Sequence, residues 1–233
     1  MKKPTVVLIG AGNLGQHLGQ ALAGAGMNIL QVFSRHQERA EQLSKKLGTE
    51  ATTDLYNIFP GADVYLLAVP DDAIRIVAGK IKSRIKRESL VAHCSGATPS
   101  TILEDFNRYG VFYPLQTFSV GRAVDFSRIP ICVYANTRED TLILQEIGQK
   151  ISQAVHLIND EQRSTLHVAA VLVNNFSNHL FEIGRDIVES ENLPFDLLKP
   201  LILATAEKVQ KAKPIDMQTG PAQKEDINTI EGH

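Results

Sequence analysis

The chain has 233 residues, 43% of them hydrophobic and 21% charged, with a formal net charge of -2 at pH 7. That composition is that of an ordinary soluble globular protein and not a disordered one, and the near-zero charge supplies no strong overall field to recruit nucleic acid or an anionic membrane surface. No run reaches the ~18 apolar residues of a membrane span, and the basic opening MKKP precedes too short an apolar run for a secretory leader.

The first element is predicted at Thr5–Ile9, a continuous apolar run of the kind that suits a strand buried on both faces of a parallel sheet. It runs straight into Gly10-Ala11-Gly12-Asn13-Leu14-Gly15. Behind that turn Leu14, Leu18, Ala21, Leu22 and Ala25 recur at helical spacing, and Gly26 can end the helix. The glycines therefore sit between a strand and a helix, the context a dinucleotide-binding turn requires. Gly10 permits the tight turn, Gly12 lets a pyrophosphate approach the backbone, and Gly15 lets helix and strand pack closely. Asn13 and Leu14 fall in the first helical turn, whose free N–H groups favour phosphate.

A second strand, Asn28 to Phe33, ends in Ser34-Arg35-His36-Gln37-Glu38-Arg39. An NAD site usually carries Asp or Glu here to accept from the ribose 2′-hydroxyl. Ser34, Arg35 and, one helical turn on, Arg39 suit a 2′-phosphate instead, because guanidinium forks onto phosphate oxygens. NADP is thus favoured over NAD.

Strand and helix signals go on alternating. A short weak strand lies near Glu50, and DVYLLAVP is a buried strand after the Pro60-Gly61 turn. Asp71 is placed to cap the helix DDAIRIVAGKI. SLVAHC is another strand, and Thr98-Pro99 has the form of a helix start. GVFYPLQ, IPICVYA and AVHLI read as further strands. Cys94 and Cys132 lie in apolar runs and read as reduced core thiols of a cytosolic protein rather than as a disulfide. The pattern is α/β, a doubly wound Rossmann-like parallel sheet, over residues 1–158. Ligands of such sheets sit beyond the carboxyl ends of the strands, which singles out Ala68-Val69-Pro70, His93 to Gly96, and Tyr113 to Thr117.

From 159 to 233 β signals vanish and an all-helical domain is expected. DEQRSTLHVAAVLVNNFSNHLFEIGRDIVESEN reads as one interdomain helix of ~30 residues, ~45 Å long, or as two helices broken near Asn174. Val168 to Val173 is apolar on every side and should be buried all round, either in the bundle core of one chain or in a homodimer formed through these helices. His167 lies beside that block; Asn174 falls nearly on its face and Asn175 about 80° away by helix geometry. Histidine can pass a proton to a nascent alkoxide or amine, although core or interface packing is the commoner use of one on such a helix. In FDLLKPLILATAEKVQKA, Pro200 should kink the start of a further helix, and Thr219-Gly220-Pro221 reads as a tight turn.

With GAGNLG, LLAVPDDAI, HCSGATP, PLQTFS, HVAAVLVNN and TGPAQKED on the page, the whole chain resembles the Rossmann-type NADP oxidoreductase superfamily. That superfamily includes deazaflavin-dependent NADP reductases, pyrroline-carboxylate reductases and β-hydroxyacid dehydrogenases. The chain is most similar to a bacterial branch with a C-terminal helical domain of unknown function, of the 6-phosphogluconate dehydrogenase-like type. The resemblance implies that Gly10, Gly12 and Gly15 hold the pyrophosphate, Ser34 and Arg35 the 2′-phosphate, and Ala68, Val69 and Pro70 the nicotinamide-side wall. It implies Ser95 and Gly96 at a substrate carboxylate, and His167 with Asn175 as the polar pair of the interdomain helix. Tyr113 departs from the histidine that relatives often carry before PLQ, Lys224-Glu225 replaces a more usual Arg-Gly, and Val171 stands where hydroxyacid dehydrogenases place lysine. Relatives also continue with more helix beyond His233, so a truncated end is expected. The implied activity is hydride transfer between NADP and a small carbonyl or imine substrate, with His167, Asn175 and Ser95 as the catalytic set and no metal. A non-catalytic NADP-binding regulator or scaffold, and a reductase with deazaflavin as hydride partner, are the alternatives.

Overall fold

The computed structural model describes residues 4–119, 121, 124–217, 219 and 227. The 220–226 part of TGPAQKED, with the Lys224-Glu225 departure, lies outside the described residues. The chain divides into two compact units, Met1–Ala170 and Val171–His233.

The first unit is built on eight strands: β1 (Thr5–Ile9), β2 (Asn28–Phe33), β3 (Glu50–Thr52), β4 (Val64–Leu67), β5 (Leu90–His93), β6 (Arg108–Pro114), β7 (Ile131–Ala135) and β8 (Val155–Leu157). They form one sheet in the order β3-β2-β1-β4-β5-β6-β7-β8. Helices α1 (Asn13–Gly24), α2 (Gln37–Leu47), α3 (Asp71–Ile81) and α4 (Arg138–Gln149) connect them. Alternation explains the apolar runs. Val6 and Leu8 face the layer of Leu18, Leu22, Leu43 and Leu144 from α1, α2 and α4. Val7 and Ile9 face Ile74, Val77 and Ile81 of α3. Both faces of β1 are thus closed, and each such side chain contributes about 1.5–3 kcal/mol by burial. Cys94 and Cys132 are buried free thiols; burial pushes Cys94 up to about 12, so it stays protonated.

The sheet is parallel except where β7 runs antiparallel to β6. The connection from 115 to 130 carries a 3-10 turn, Phe126–Arg128, and no α-helix among its described residues. A parallel return needs a long crossover, usually helical, whereas this chain comes back beside the strand it left.

Local expectations are corrected at four places. Thr98-Pro99 opens only a 3-10 turn, Ser100–Leu103, with Pro99 in the cap position. Asp71 is the first residue of α3 rather than its cap, and its carboxylate accepts from the Ser95 hydroxyl. The long helical segment is α5 (Asp160–Val171), then a π-helical segment, Leu172–Phe176, then α6 (Ser177–Ser190). A π turn closes at i→i+5, so uniform α spacing from His167 to Asn174 and Asn175 does not hold. Pro200 sits within the first turn of α7 (Lys199–Val209), where a missing N–H costs nothing, and does not kink it.

The second unit comprises that π segment, α6, the 3-10 turn Phe195–Leu197, α7 and the 3-10 turn Pro214–Met217. None of its described side chains is buried in the single chain. Val168, Leu172 and Val173, expected to be buried all round, are 59%, 54% and 76% exposed. No core among the described residues accounts for that apolar block. No helix among the described residues is long and apolar enough to cross a membrane.

Candidate functional site

Strand order reverses between the neighbouring strands β1 and β4, and the turns leaving these two strands flank a crevice. The Gly10 N–H donates to Phe33 O at 2.8 Å, and the Ala68 N–H donates to Ile9 O at 2.8 Å, so the three turns are laced together. Gly10 has φ 121°, and a Cβ there would lie 2.1 Å from Ala68 O. A Cβ at Gly15 would lie 1.9 Å from Gly10 O. Both glycines are therefore demanded by folding. Gly12 is different: its backbone is extended, and a Cβ would meet nothing within 4 Å. Packing gives no reason for glycine at position 12, whereas close approach of a ligand to the main chain does. The N-terminus of α1 has no side-chain cap and no acidic residue in its first turn. In contrast, α3 opens with Asp71 and Asp72, and α4 is capped by Thr137. The α1 terminus thus keeps its partial positive charge for an anion.

Gly10, Gly12, Ser34, Arg35, Arg39, Ala68, Val69 and Pro70 line one cleft of about 370 Å³. Ser34 is buried and its Oγ accepts from the His36 N–H at 3.2 Å, while Arg35 and Arg39 are exposed. Asn13, Leu14 and Gly15 do not line the cleft. The Asn13 amide donates to Phe118 O at 3.0 Å, Leu14 packs on the core, and Gly15 lies against Gly10. Two further lining residues, Tyr56 and Lys80, were missed by sequence reasoning. Arg84 lies over the Tyr56 ring, 4.8 Å from its centre. Nothing in DLYN distinguishes that tyrosine from a loop residue; Lys80 was reachable, since α3 follows the strand at the reversal point.

A second cluster lies at the carboxyl ends of β5 and β6. The Ser95 hydroxyl donates to Asp71 Oδ2 at 2.8 Å and accepts from the N–H groups of Ala97 and Thr98 at 3.1 and 2.9 Å. One donor and two acceptor sites are all a hydroxyl has. Ser95 therefore ties the start of α3 to the β5 turn, and its hydroxyl is not free for a substrate carboxylate. The Ser95 N–H donates to His93 Nδ1 at 3.2 Å. Burial, then the Arg163 charge, pulls His93 down to about 4, so the ring is neutral.

Arg163, on α5, is 1% exposed. Its Nη1 donates to Asp160 Oδ1 at 2.7 Å, and Nη2 donates to Thr98 O. Asp160 also accepts from the Ser100 N–H at 2.7 Å and Oγ at 2.8 Å. Burial works to raise the Asp160 carboxyl, but the bonds from Arg163 and Ser100 hold it below the usual carboxylate range. This clamp fixes α5 against the β5 turn. One α5 turn beyond Arg163, His167 Nδ1 lies 3.1 Å from Tyr113 Oη. Asn175 belongs to the second unit, where its Oδ1 accepts from Asn174 Nδ2 at 3.3 Å. Among the described residues, no group of three His, Cys, Asp or Glu side chains is placed to hold a metal.

A Rossmann-type sheet with a glycine turn at its reversal point is the fold of the dinucleotide-binding proteins. Residues 5–95 match the family described as NADP oxidoreductase, coenzyme F420-dependent, and residues 129–233 match a domain of unknown function, DUF2520. A Bacteroides fragilis protein provisionally named an NADP oxidoreductase is 41% identical over 99% of this chain and 90% of its own, with a TM-score of 0.90. The chain belongs to this NADP oxidoreductase family. In fold it is also similar to a Coxiella burnetii pyrroline-5-carboxylate reductase, with 17% identity, 99% and 91% coverage and a TM-score of 0.67. A Pseudomonas imine reductase shares 14% identity, with 90% and 76% coverage and a TM-score of 0.66. No curated protein matches the chain.

Proposed function

We propose that this protein is an NADP-dependent oxidoreductase acting on a small carbonyl or imine compound. The observation that supports it most is Gly12, a glycine that folding does not require, set between an uncapped helix terminus and two exposed arginines in one cleft. The residues present fit NADP: the 10–12 turn for the diphosphate, Ser34, Arg35 and Arg39 for the 2′-phosphate, and Ala68 to Pro70 as the nicotinamide-side wall. When bound, the nucleotide supplies or accepts the hydride, and the chain supplies orientation and a proton. Contacts run from that wall through Asp71 and Ser95 to Gly96, which packs on Tyr113 and His167. This favours His167 as the group that exchanges the proton with substrate oxygen or nitrogen.

Calorimetric titration tests the assignment. Arg35→Ala is expected to weaken NADPH binding about 30- to 150-fold, the loss of a charge-assisted phosphate pair of roughly 2–3 kcal/mol, with NADH affinity nearly unchanged. Equal losses for both nucleotides would remove the 2′-phosphate role. Loss of NADPH absorbance with a panel of carbonyl and imine compounds tests the reaction, and a flat trace with every member sinks it.

We further propose that the protein works as a homodimer formed through its C-terminal helices. The second unit has no buried side chain among its described residues, and Leu180, Ile187, Leu201 and Leu203 are 64%, 63%, 65% and 59% exposed, apolar surface that a partner copy would cover. Light scattering is expected to give twice the mass of one chain at micromolar concentration; a monomer there refutes the pairing.

A further inference from the structure

We propose that Tyr113 is a positioning residue that occupies Nδ1 of His167 and so makes Nε2 the nitrogen that exchanges the proton with substrate. This rests on the reading of His167 as the proton donor given above.

Three observations converge on the pair. Tyr113 is the penultimate residue of β6, on the sheet's carboxyl side and 9% exposed, and its Oη has His167 Nδ1 as its hydrogen-bond partner at 3.1 Å. The two rings meet edge to face, with centroids 6.0 Å apart and planes at 68°. Gly96 lies directly over the bond. A Cβ there would sit 2.5 Å from His167 Nδ1 and 2.6 and 2.8 Å from Tyr113 Cζ and Oη. The bare main chain of the β5 turn thus covers this side of the imidazole. His167 Nε2 has no hydrogen-bond partner among the described residues. α5 itself is held in register by the Arg163–Asp160 clamp one turn earlier.

Which ring nitrogen carries a proton is set by the bond the other one makes. For reduction, the donor form of His167 is the imidazolium, with Nδ1–H donating to Tyr113 Oη and Nε2–H facing substrate. Hydride adds to the carbonyl carbon, and the C=O π pair moves onto oxygen. The Nε2–H bond breaks, and its proton goes to that oxygen. The ring is left neutral with its remaining proton on Nδ1, still donated to the same phenolic oxygen, so no side chain rotates during the step. In the oxidative direction the same tautomer leaves Nε2 bare as the acceptor. Burial holds the phenol protonated by raising it above its ordinary value, so Tyr113 acts by orientation and gives up no proton.

Nitrogen-15 spectra of the histidine rings, recorded on the nucleotide-free protein with the rings neutral, test this without a substrate. The unmodified protein is expected to show His167 with its proton on Nδ1, the form a free histidine disfavours. Tyr113→Phe is expected to shift the ring to the Nε2–H form while NADPH affinity changes less than about twofold. A wild-type ring already in the Nε2–H form overturns the proposal, whether or not the variant folds, and so do identical ring shifts in a folded Tyr113→Phe. If the tautomer is as expected but no carbonyl or imine is turned over, the enzymatic reading fails while the Tyr113–His167 pairing stands.

Discussion

Gly15→Ala is expected to leave little folded protein at 37 °C, while Gly12→Ala, three residues away, folds normally and binds NADPH at least tenfold more weakly. An alanine Cβ at position 15 would lie 1.9 Å from Gly10 O and 2.8 Å from its carbonyl carbon. Those atoms are main chain, fixed by the bond from the Gly10 N–H to Phe33 O. They cannot swing aside as a side chain would, so the cost is that of overpacking at its upper end, about 3 kcal/mol or more. That is a large fraction of the total stability of a domain. At Gly12 the added methyl meets no protein atom within 4 Å, and φ -73° is ordinary for alanine. The methyl would instead occupy space proposed for the diphosphate. Thermal unfolding paired with NADPH titration reads both effects. A destabilised Gly12→Ala, or one with wild-type NADPH affinity, removes the ligand argument for that glycine.

Asp160→Ala is expected to destabilise the first unit by about 3 kcal/mol, with Arg163→Met added to it restoring a good part. Arg163 is 1% exposed and has Asp160 as its ion-pair partner. Removing one member of a buried pair leaves a desolvated charge, at roughly 3–5 kcal/mol. The lower end applies because the Asp160 side chain is 29% exposed and partly screened by water. Two N–H and O–H donors from Ser100 lose their acceptor as well. Denaturant unfolding measures the difference, and a loss under 1 kcal/mol would mean that water or Thr98 alone satisfies the guanidinium.

The same region sets the response to acid. His93 is held neutral down to about 4, whereas in the unfolded chain it binds a proton near pH 6.5. Between those values the unfolded state carries more protons, so stability falls as pH drops from about 6.5 towards 4. Asp160 has a depressed folded value. Its contribution is complete above the unfolded carboxyl value of about 3.9 and is lost as pH falls through the folded one. Acid unfolding should therefore begin with His93 and finish with Asp160. A midpoint that is flat from pH 7 to 4 would contradict the order.

How much of this could be read from residues alone follows the range of the forces involved. The buried strands, the glycine turn, the helix behind it and the basic end of β2 are local patterns. Periodicity, backbone sterics and charge decide them within some twenty residues, and β1, α1 and β2 stand where the pattern puts them. The return of β7 beside β6 depends on what a connection lacks, and the π segment at Leu172–Phe176 interrupts a pattern that reads as unbroken helix. Side-chain partnerships were the least visible. The resemblance puts Ser95 at a substrate carboxylate, but Asp71, 24 residues earlier, accepts its hydrogen bond. The sequence places Tyr113 at a ligand-facing strand end, but only the fold brings His167 of α5 against it, 54 residues on. The sequence by itself determined that a strand-turn-helix with bare amides and a basic second strand would form. Only the tertiary structure decided which polar groups remain free for chemistry, because a hydrogen bond spent inside the fold is made between residues that no local pattern relates.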